Sequence, residues 1–249
     1  MRRWREEATP GELGWHPCLT MDAPTAKPEE VGSLLGRDGN LLPLSKFLTG
    51  LMLGRIRYSE LVRELDCQYR RFLSLTGHPP VLVNGHKHIH IFPGCSEALI
   101  EVLERHRTAP HVRRIREPLS TMWAVPGARC KRTFLSCLGR LAARRQQRAG
   151  LPGNDWLAGI TDPPWIEDPD FFARWLRHIP GRTVELMVHP GHMDSTLLGR
   201  DCMPGDGLQQ RRVVELRQLS QPEFREACHR AGFILTGNFS GSASRENVA

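Results

Sequence analysis

The segment Asn84-Gly85-His86-Lys87-His88-Ile89-His90 sets three imidazoles two residues apart, directly after the apolar run Val81-Leu82-Val83. Side chains two apart on an extended chain share a face. His86, His88 and His90 are therefore predicted to project together at the C-terminal end of a strand. Neutral imidazoles gathered in that way suit Zn²⁺ or another divalent ion. A straight strand cannot bring all three to one ion, so one or two are expected to serve as structure or to hydrogen-bond the ligands. A set of packed or surface histidines is the alternative reading of the same spacing.

A second cluster is Glu185-Leu186-Met187-Val188-His189-Pro190-Gly191-His192. Here an apolar strand ends in histidine and Pro-Gly turns the chain. In a parallel α/β barrel such a residue stands on the face where strand C-termini gather. Histidine titrates near neutral pH, so His189 is a candidate general acid or base. A turn histidine without a role is the alternative. The third cluster, Glu12-Leu13-Gly14-Trp15-His16-Pro17-Cys18-Leu19-Thr20, reads by itself as a buried strand-end histidine.

These clusters need strands to carry them and helices to return the chain. Strand character appears at about 12–16, at 81–84 continuing into 86–91, and at 112–115, 156–160, 183–188 and 233–236. Helical spacing runs through Leu61, Val62, Leu65, Tyr69, Phe72 and Leu73, stopped by Gly77 and Pro79-Pro80. Further helices carry Ala98, Leu99, Val102 and Leu103, and then Phe134, Leu135, Leu138 and Leu141. Asp168-Pro169 reads as a cap opening a helix through Phe172, Trp175 and Leu176. Ser220 with Glu223 reads as a capping box for the last helix, closed by Gly232. Six strand candidates alternating with helices predict a parallel α/β fold in one domain over residues 1–236, with a polar, mobile tail at 237–249.

Composition narrows the function classes. With 249 residues, 40% hydrophobic and 24% charged, the chain is neither disordered throughout, nor collagen, nor a coiled coil, and no apolar run spans a bilayer. The opening Met1-Arg2-Arg3-Trp4-Arg5-Glu6-Glu7 has no apolar stretch, so no secretory signal is expected. Seven cysteines without a Cys-x-x-Cys pair suit reduced thiols in the cytoplasm. The net charge of +7 is regional: residues 105–148 hold twelve Lys/Arg against Glu117 alone, a +11 belt in a chain otherwise at −4. Aromatics are not interleaved with those arginines, and no nucleic-acid module is visible, so nucleic acid is not the expected partner. The belt reads as an outer helix face, or as a dock for an anionic membrane or lipid-linked substrate.

Taken in order, the three clusters resemble the YdjC-like family of carbohydrate deacetylases (the ChbG/HpnK group). The resemblance rests on Gly14-Trp15-His16-Pro17-Cys18-Leu19-Thr20, on Asn84 to His90, and on His189-Pro190-Gly191, and it runs over about residues 11–236. It implies a divergent (β/α) barrel that removes N-acetyl groups from acetylated amino sugars or glycolipids with a divalent metal, Mg or Zn. It also implies that His16 and His86 are metal ligands and that His189 is the general acid near the leaving amine. Asn84, His88, His90 and Glu185 would then support the ligands or contact the substrate.

The family pattern begins with a strand ending in Asp-Asp-Phe-Gly, which supplies a metal ligand and the base, and this chain has no Asp-Asp pair. The motif at His16 corresponds to the family's third strand, and six strands with two more would make eight. The expectation is therefore a barrel incomplete at its N-terminus, with weak metal binding, an open sheet edge and no assigned catalytic base. Asp22, Asp162, Glu185 and Asp194 are the candidate substitutes. Asn84 stands where the family favours Asp. Two other readings stay open: a homologue without catalysis that keeps a sugar- or partner-binding face, and a barrel metal hydrolase of the amidohydrolase type.

Overall fold

The computed structural model describes residues 12–198 and 202–236, which pack as two compact units. The expected tail at 237–249 lies outside the described residues. The first unit holds 12–113, 141–153 and 236, and the second holds 114–140, 154–198 and 202–235.

The first unit is built on a parallel three-stranded sheet in the order β1 (Gly14–Trp15), β2 (Leu82–Val83), β3 (His111–Val112). Between β1 and β2 the chain passes through α1 (Leu44–Met52) and α2 (Tyr58–Thr76), and α3 (Cys95–Arg105) joins β2 to β3. Parallel strands require such crossovers. Register places Trp15, Val83 and Val112 side by side, and all three are buried. Trp15 meets Tyr69 of α2 edge to face, with ring centroids 5.4 Å apart. The predicted periodicity of α2 is realised in the burial of Leu61, Leu65 and Tyr69, and the helix ends at Gly77 in the left-handed region (φ 83°).

The second unit pairs β4 (Trp156–Ala158) with β5 (Val184–Leu186) in parallel. Its helices are α4 (Leu119–Ala124), the first turns of α5 (Arg129–Arg148), α6 (Phe171–His178), α7 (Leu208–Leu219) and α8 (Pro222–Arg230). Ala158, Phe171, Phe172, Trp175, Ile179 and Val214 form its core. Just past β4, Gly159 has φ 97°, and a Cβ there would stand 2.3 Å from the Met187 carbonyl oxygen. No other residue type fits that close approach.

The fold is thus mixed α/β with parallel strands, as expected. The barrel is not seen as a closed sheet: the described strands form one sheet of three and one of two, and neither closes on itself. Two strand predictions are corrected. Residues 86–91 form a 3-10 segment, with Lys87 and His88 both left-handed (φ 49° and 60°), and 233–236 follow the last helix without pairing as a strand. Alternation of apolar and polar residues is indifferent to such a turn, because the side-chain pattern of a strand and of a short wound loop coincide over five residues. Both caps differ too. Asp170, not Asp168, precedes α6, and Asp168 instead accepts from Arg174 and from the Asp170 N–H. Pro222 opens α8 after Gln221, while Ser220 bonds back to the Leu216 carbonyl.

The basic belt is partly internal, which corrects its reading as an outer face. Arg132 is 1% exposed. Its guanidinium pairs with Glu117, donates to the carbonyls of Val125 (2.6 Å) and Gly127 (2.9 Å), and lies 4.6 Å over the Trp175 ring. Arg116 lies 5.0 Å over Trp156 and donates to the Asp155 carbonyl. A planar cation with five donors is suited to such sites. Lys131, Arg144 and Arg148 remain on the exposed side of α5.

Candidate active site

In the first unit the site grows from strand register. Trp15 pairs with Val83, so the next residues along, His16 and Asn84, leave the sheet together, with the Asn84 N–H bonded to the Trp15 carbonyl at 3.2 Å. His16 Nδ1 is hydrogen-bonded to Asn84 Oδ1. That oxygen can only accept, so Nδ1 is the donor, and in the neutral ring Nε2 is the nitrogen with the lone pair. His16 Nε2 then faces His86 Nδ1 at 3.4 Å, with the two rings nearly perpendicular at 82°. His86 is fixed in turn, its N–H donating to the Pro17 carbonyl at 2.8 Å. His16 is exposed and His86 and Asn84 are half-buried.

The remaining predicted members of this cluster separate. His90 turns inward, 2% exposed, and its Nδ1 accepts from the Gly85 N–H at 3.0 Å while its Nε2–H donates to the Arg113 carbonyl at 2.9 Å. Burial pushes its pKa down to about 4, so the ring stays neutral, as one donor and one acceptor require. A Cβ on Gly85 would stand 2.8 Å from His90 Nδ1, so the loop can wrap the ring only with glycine there. His88 lies in the left-handed turn (φ 60°), so the extended backbone expected to set it beside His86 is absent. His90 is thus a strut that holds the loop carrying His86 to the end of β3.

Sequence reasoning missed Glu64 and Gln68, one turn apart on α2. Gln68 clamps Cys18 from both sides, accepting from its N–H at 3.0 Å and donating to its carbonyl at 2.5 Å. Glu64 is wholly buried and accepts from Gln68 and from the N–H groups of Thr25 and Ala26. Together they fix the loop that follows His16. The available signal was two polar residues at i and i+4 beside the apolar stripe of Leu61, Leu65 and Tyr69.

In the second unit β5 delivers His189. Met187 N–H bonds the Ala158 carbonyl at 2.9 Å, and two residues later His189 is exposed at the start of the Pro190-Gly191 turn. The His189 N–H donates to Glu215 Oε2, and the Gly191 N–H donates to the Arg212 carbonyl at 3.1 Å. Glu215 is 0% exposed and pairs with Arg211 at 2.8 Å. Glu185 sits in mid-strand opposite Leu157, half-buried. Of the candidate substitute carboxylates, Asp162 accepts from the Ala128 N–H at 2.7 Å, and Asp194 caps Thr196 through its N–H (2.9 Å) and Oγ1 (2.7 Å). Past His192, a cavity of about 650 Å³ is lined by Met193, Leu198, Met203, Asp194 and Gln209.

The imidazole pair can be tested against a divalent ion. Two nitrogens bound to one tetrahedral Zn²⁺ at about 2.05 Å stand about 3.4 Å apart, and His16 Nε2 and His86 Nδ1 are separated by 3.4 Å. Hydrogen bonding of the far nitrogen of a ligating His to a fixed oxygen is the usual companion of such a site, and Asn84 supplies it to His16. The pair therefore fits two positions of a divalent ion. Among the described residues no three His, Cys, Asp or Glu side chains stand together as a metal-holding group.

The sequence model of the YdjC-like protein family matches residues 1–230. The chain belongs to the YdjC-like family. This YdjC-like chain is 29% identical over 228 residues to a carbohydrate deacetylase of Mus musculus, covering 85% of this chain and 72% of the mouse protein. It is 26% identical over 241 residues to a chitooligosaccharide deacetylase of Yersinia pestis (strain Pestoides F), covering 91% of this chain and 76% of that one. A crystal structure from Enterococcus faecalis V583, named for cellobiose-phosphate cleavage, superposes with a TM-score of 0.72 at 18% identity, over 96% of this YdjC-like chain and 80% of the other. That likeness concerns the fold.

Proposed function

We propose that this chain is a metal-dependent carbohydrate deacetylase that hydrolyses the N-acetyl group of acetylated amino sugars. The observation that carries the reading is the His16–His86 pair, two strand-end imidazoles at ligand spacing with the His16 tautomer fixed by Asn84. The names of the mouse and Yersinia relatives support the substrate class. His16 and His86 would hold the ion, Mg²⁺ or Zn²⁺, and a bound divalent ion would polarise the acetyl carbonyl and acidify the attacking water. Hydrolysis breaks the amide C–N bond, the acetyl carbon takes the hydroxyl of water and leaves as acetate, and the departing amine needs a proton. His189, exposed just past β5, would be that donor, as the family resemblance implies.

The exposed cations of α5 suit contact with an anionic surface, which would serve a glycolipid substrate. All seven cysteines are free thiols, which suits the cytoplasm.

The test is release of acetate from acetylated chito-oligosaccharides with added Zn²⁺ or Mg²⁺. Metal-stimulated release is expected, and it should vanish on chelation. If no divalent ion supports release while the oligosaccharide still binds, the chain is a carbohydrate-binding homologue and the catalytic reading falls.

A further inference from the structure

The Arg211–Glu215 pair of α7 takes no part in the proposed reaction itself, yet it is one of the most buried ionic groups of the second unit. Glu215 is 0% and Arg211 8% exposed. Each oxygen of Glu215 has its own task. Oε2 accepts the His189 N–H, and Oε1 accepts Arg211 Nε–H at 2.8 Å. The other arm of the guanidinium reaches the opposite strand end, with Nη1 donating to the Thr161 carbonyl at 3.1 Å and Nη2 to the Gly159 carbonyl at 3.3 Å. One helical turn thus grips the chain just beyond β4 with its cation and just beyond β5 with its anion.

We propose that Arg211 and Glu215 are positioning residues for His189. The inference rests on the reading of His189 as proton donor. Removing a carboxylate and a guanidinium from water is costly, and an apolar pair of the same volume commonly serves stability as well or better. Stability alone therefore does not account for an ion pair here. Geometry does. Met187 N–H bonds the Ala158 carbonyl, and beyond it the His189 N–H is taken by the Glu215 carboxylate. The pair continues the tie two residues further, to the backbone of the residue that bears the chemistry. Residues i and i+4 on a helix have fixed spacing, so the tie sets the distance from His189 to the Gly159–Thr161 carbonyls through a rigid element. Arg211 also neutralises Glu215, so what the pair supplies at His189 is placement of the backbone.

The test is the double variant Arg211→Met/Glu215→Leu, measured as the full chain. Unfolding temperature is expected to fall only modestly, through the loss of partners for the Gly159 and Thr161 carbonyls and the His189 N–H. Hydrogen exchange of the His189 amide, read by NMR or on the peptide covering 187–192, should quicken about tenfold or more. The kcat for acetate release should fall about 10–100-fold with KM unchanged, since a displaced donor acts only in the transition state. Unchanged exchange at His189 would overturn the proposal, and so would full kcat despite faster exchange. If the double variant does not fold, Glu215→Gln and Arg211→Lys replace it. Gln keeps an oxygen for the His189 N–H but loses the anion, and Lys keeps the cation but cannot span both carbonyls. Each should show a smaller fall in kcat alongside faster exchange, and a parental kcat in both would overturn the proposal. His189→Ala, run in parallel, separates the two readings. If it keeps the parental rate, the donor assignment fails, while the exchange measurement still decides whether the pair holds the backbone.

Discussion

The His16–Asn84–His86 cluster and the His189–Glu215–Arg211 cluster both place histidine just past a parallel strand, but they grip it differently. In the first unit the imidazole itself is held: Asn84 fixes the tautomer of His16, and the ring faces its partner at 3.4 Å. In the second unit the backbone is held by a buried carboxylate while the ring stays exposed. The difference follows from the work each would do. A ligand must keep one lone pair pointed in one direction and never protonate it. A proton donor must change charge and pass its proton on, so its ring stands exposed while its backbone is tied to Glu215.

That comparison can be broken, and the largest expected effect comes from the ring-held side. His16→Ala or His86→Ala should reduce metal-stimulated acetate release to background and abolish the Zn²⁺ binding seen in titration calorimetry. Loss of activity with unaltered metal affinity would remove both residues from the ligand set. His189→Ala should lower kcat by about 10²–10⁴-fold while leaving metal affinity at the parental value. A fall in metal affinity there would erase the division of labour between the clusters.

The strut His90 gives a prediction about stability. Its folded pKa, driven down to about 4 by burial, lies below the ordinary histidine value of 6.5. The unfolded chain therefore takes up a proton first as pH falls. The contribution of neutral His90 is complete above about pH 6.5 and drains away between there and pH 4, amounting to about 3 kcal/mol. Melting temperature followed from pH 7 to 4 should fall more steeply in the parent than in His90→Leu, which will start lower for want of the Gly85 and Arg113 bonds. Parallel curves would show that His90 does not titrate with unfolding. The smallest effect is expected from Asn84→Ala, which removes the partner of His16 Nδ1 and should cost about tenfold in metal affinity, with Asn84→Asp moving it the other way. No change in either would mean that the His16 tautomer is set elsewhere.

Local features were the legible ones. The buried stripe of α2 and its stop at Gly77, the approximate places of β1 to β5, and the three histidine clusters are each written within a few consecutive residues. The loop from His86 to Ile91 was not legible, because its path depends on Lys87 and His88 entering the left-handed region, where side chains other than glycine seldom go. They are held there by the His90 ring, which finds Gly85 and Arg113, the latter distant in sequence.

The sequence by itself determined which residue types stand at the strand ends, because register and periodicity are short-range and family motifs are local. Only the tertiary structure decided what each does: His86 turned toward His16 while His90 turned inward, Arg132 left the basic surface for Glu117 and Trp175, and Glu215 came to lie behind His189. A buried polar group must find its partner wherever the fold brings one, here from four to 52 residues away along the chain, and no local pattern records that choice.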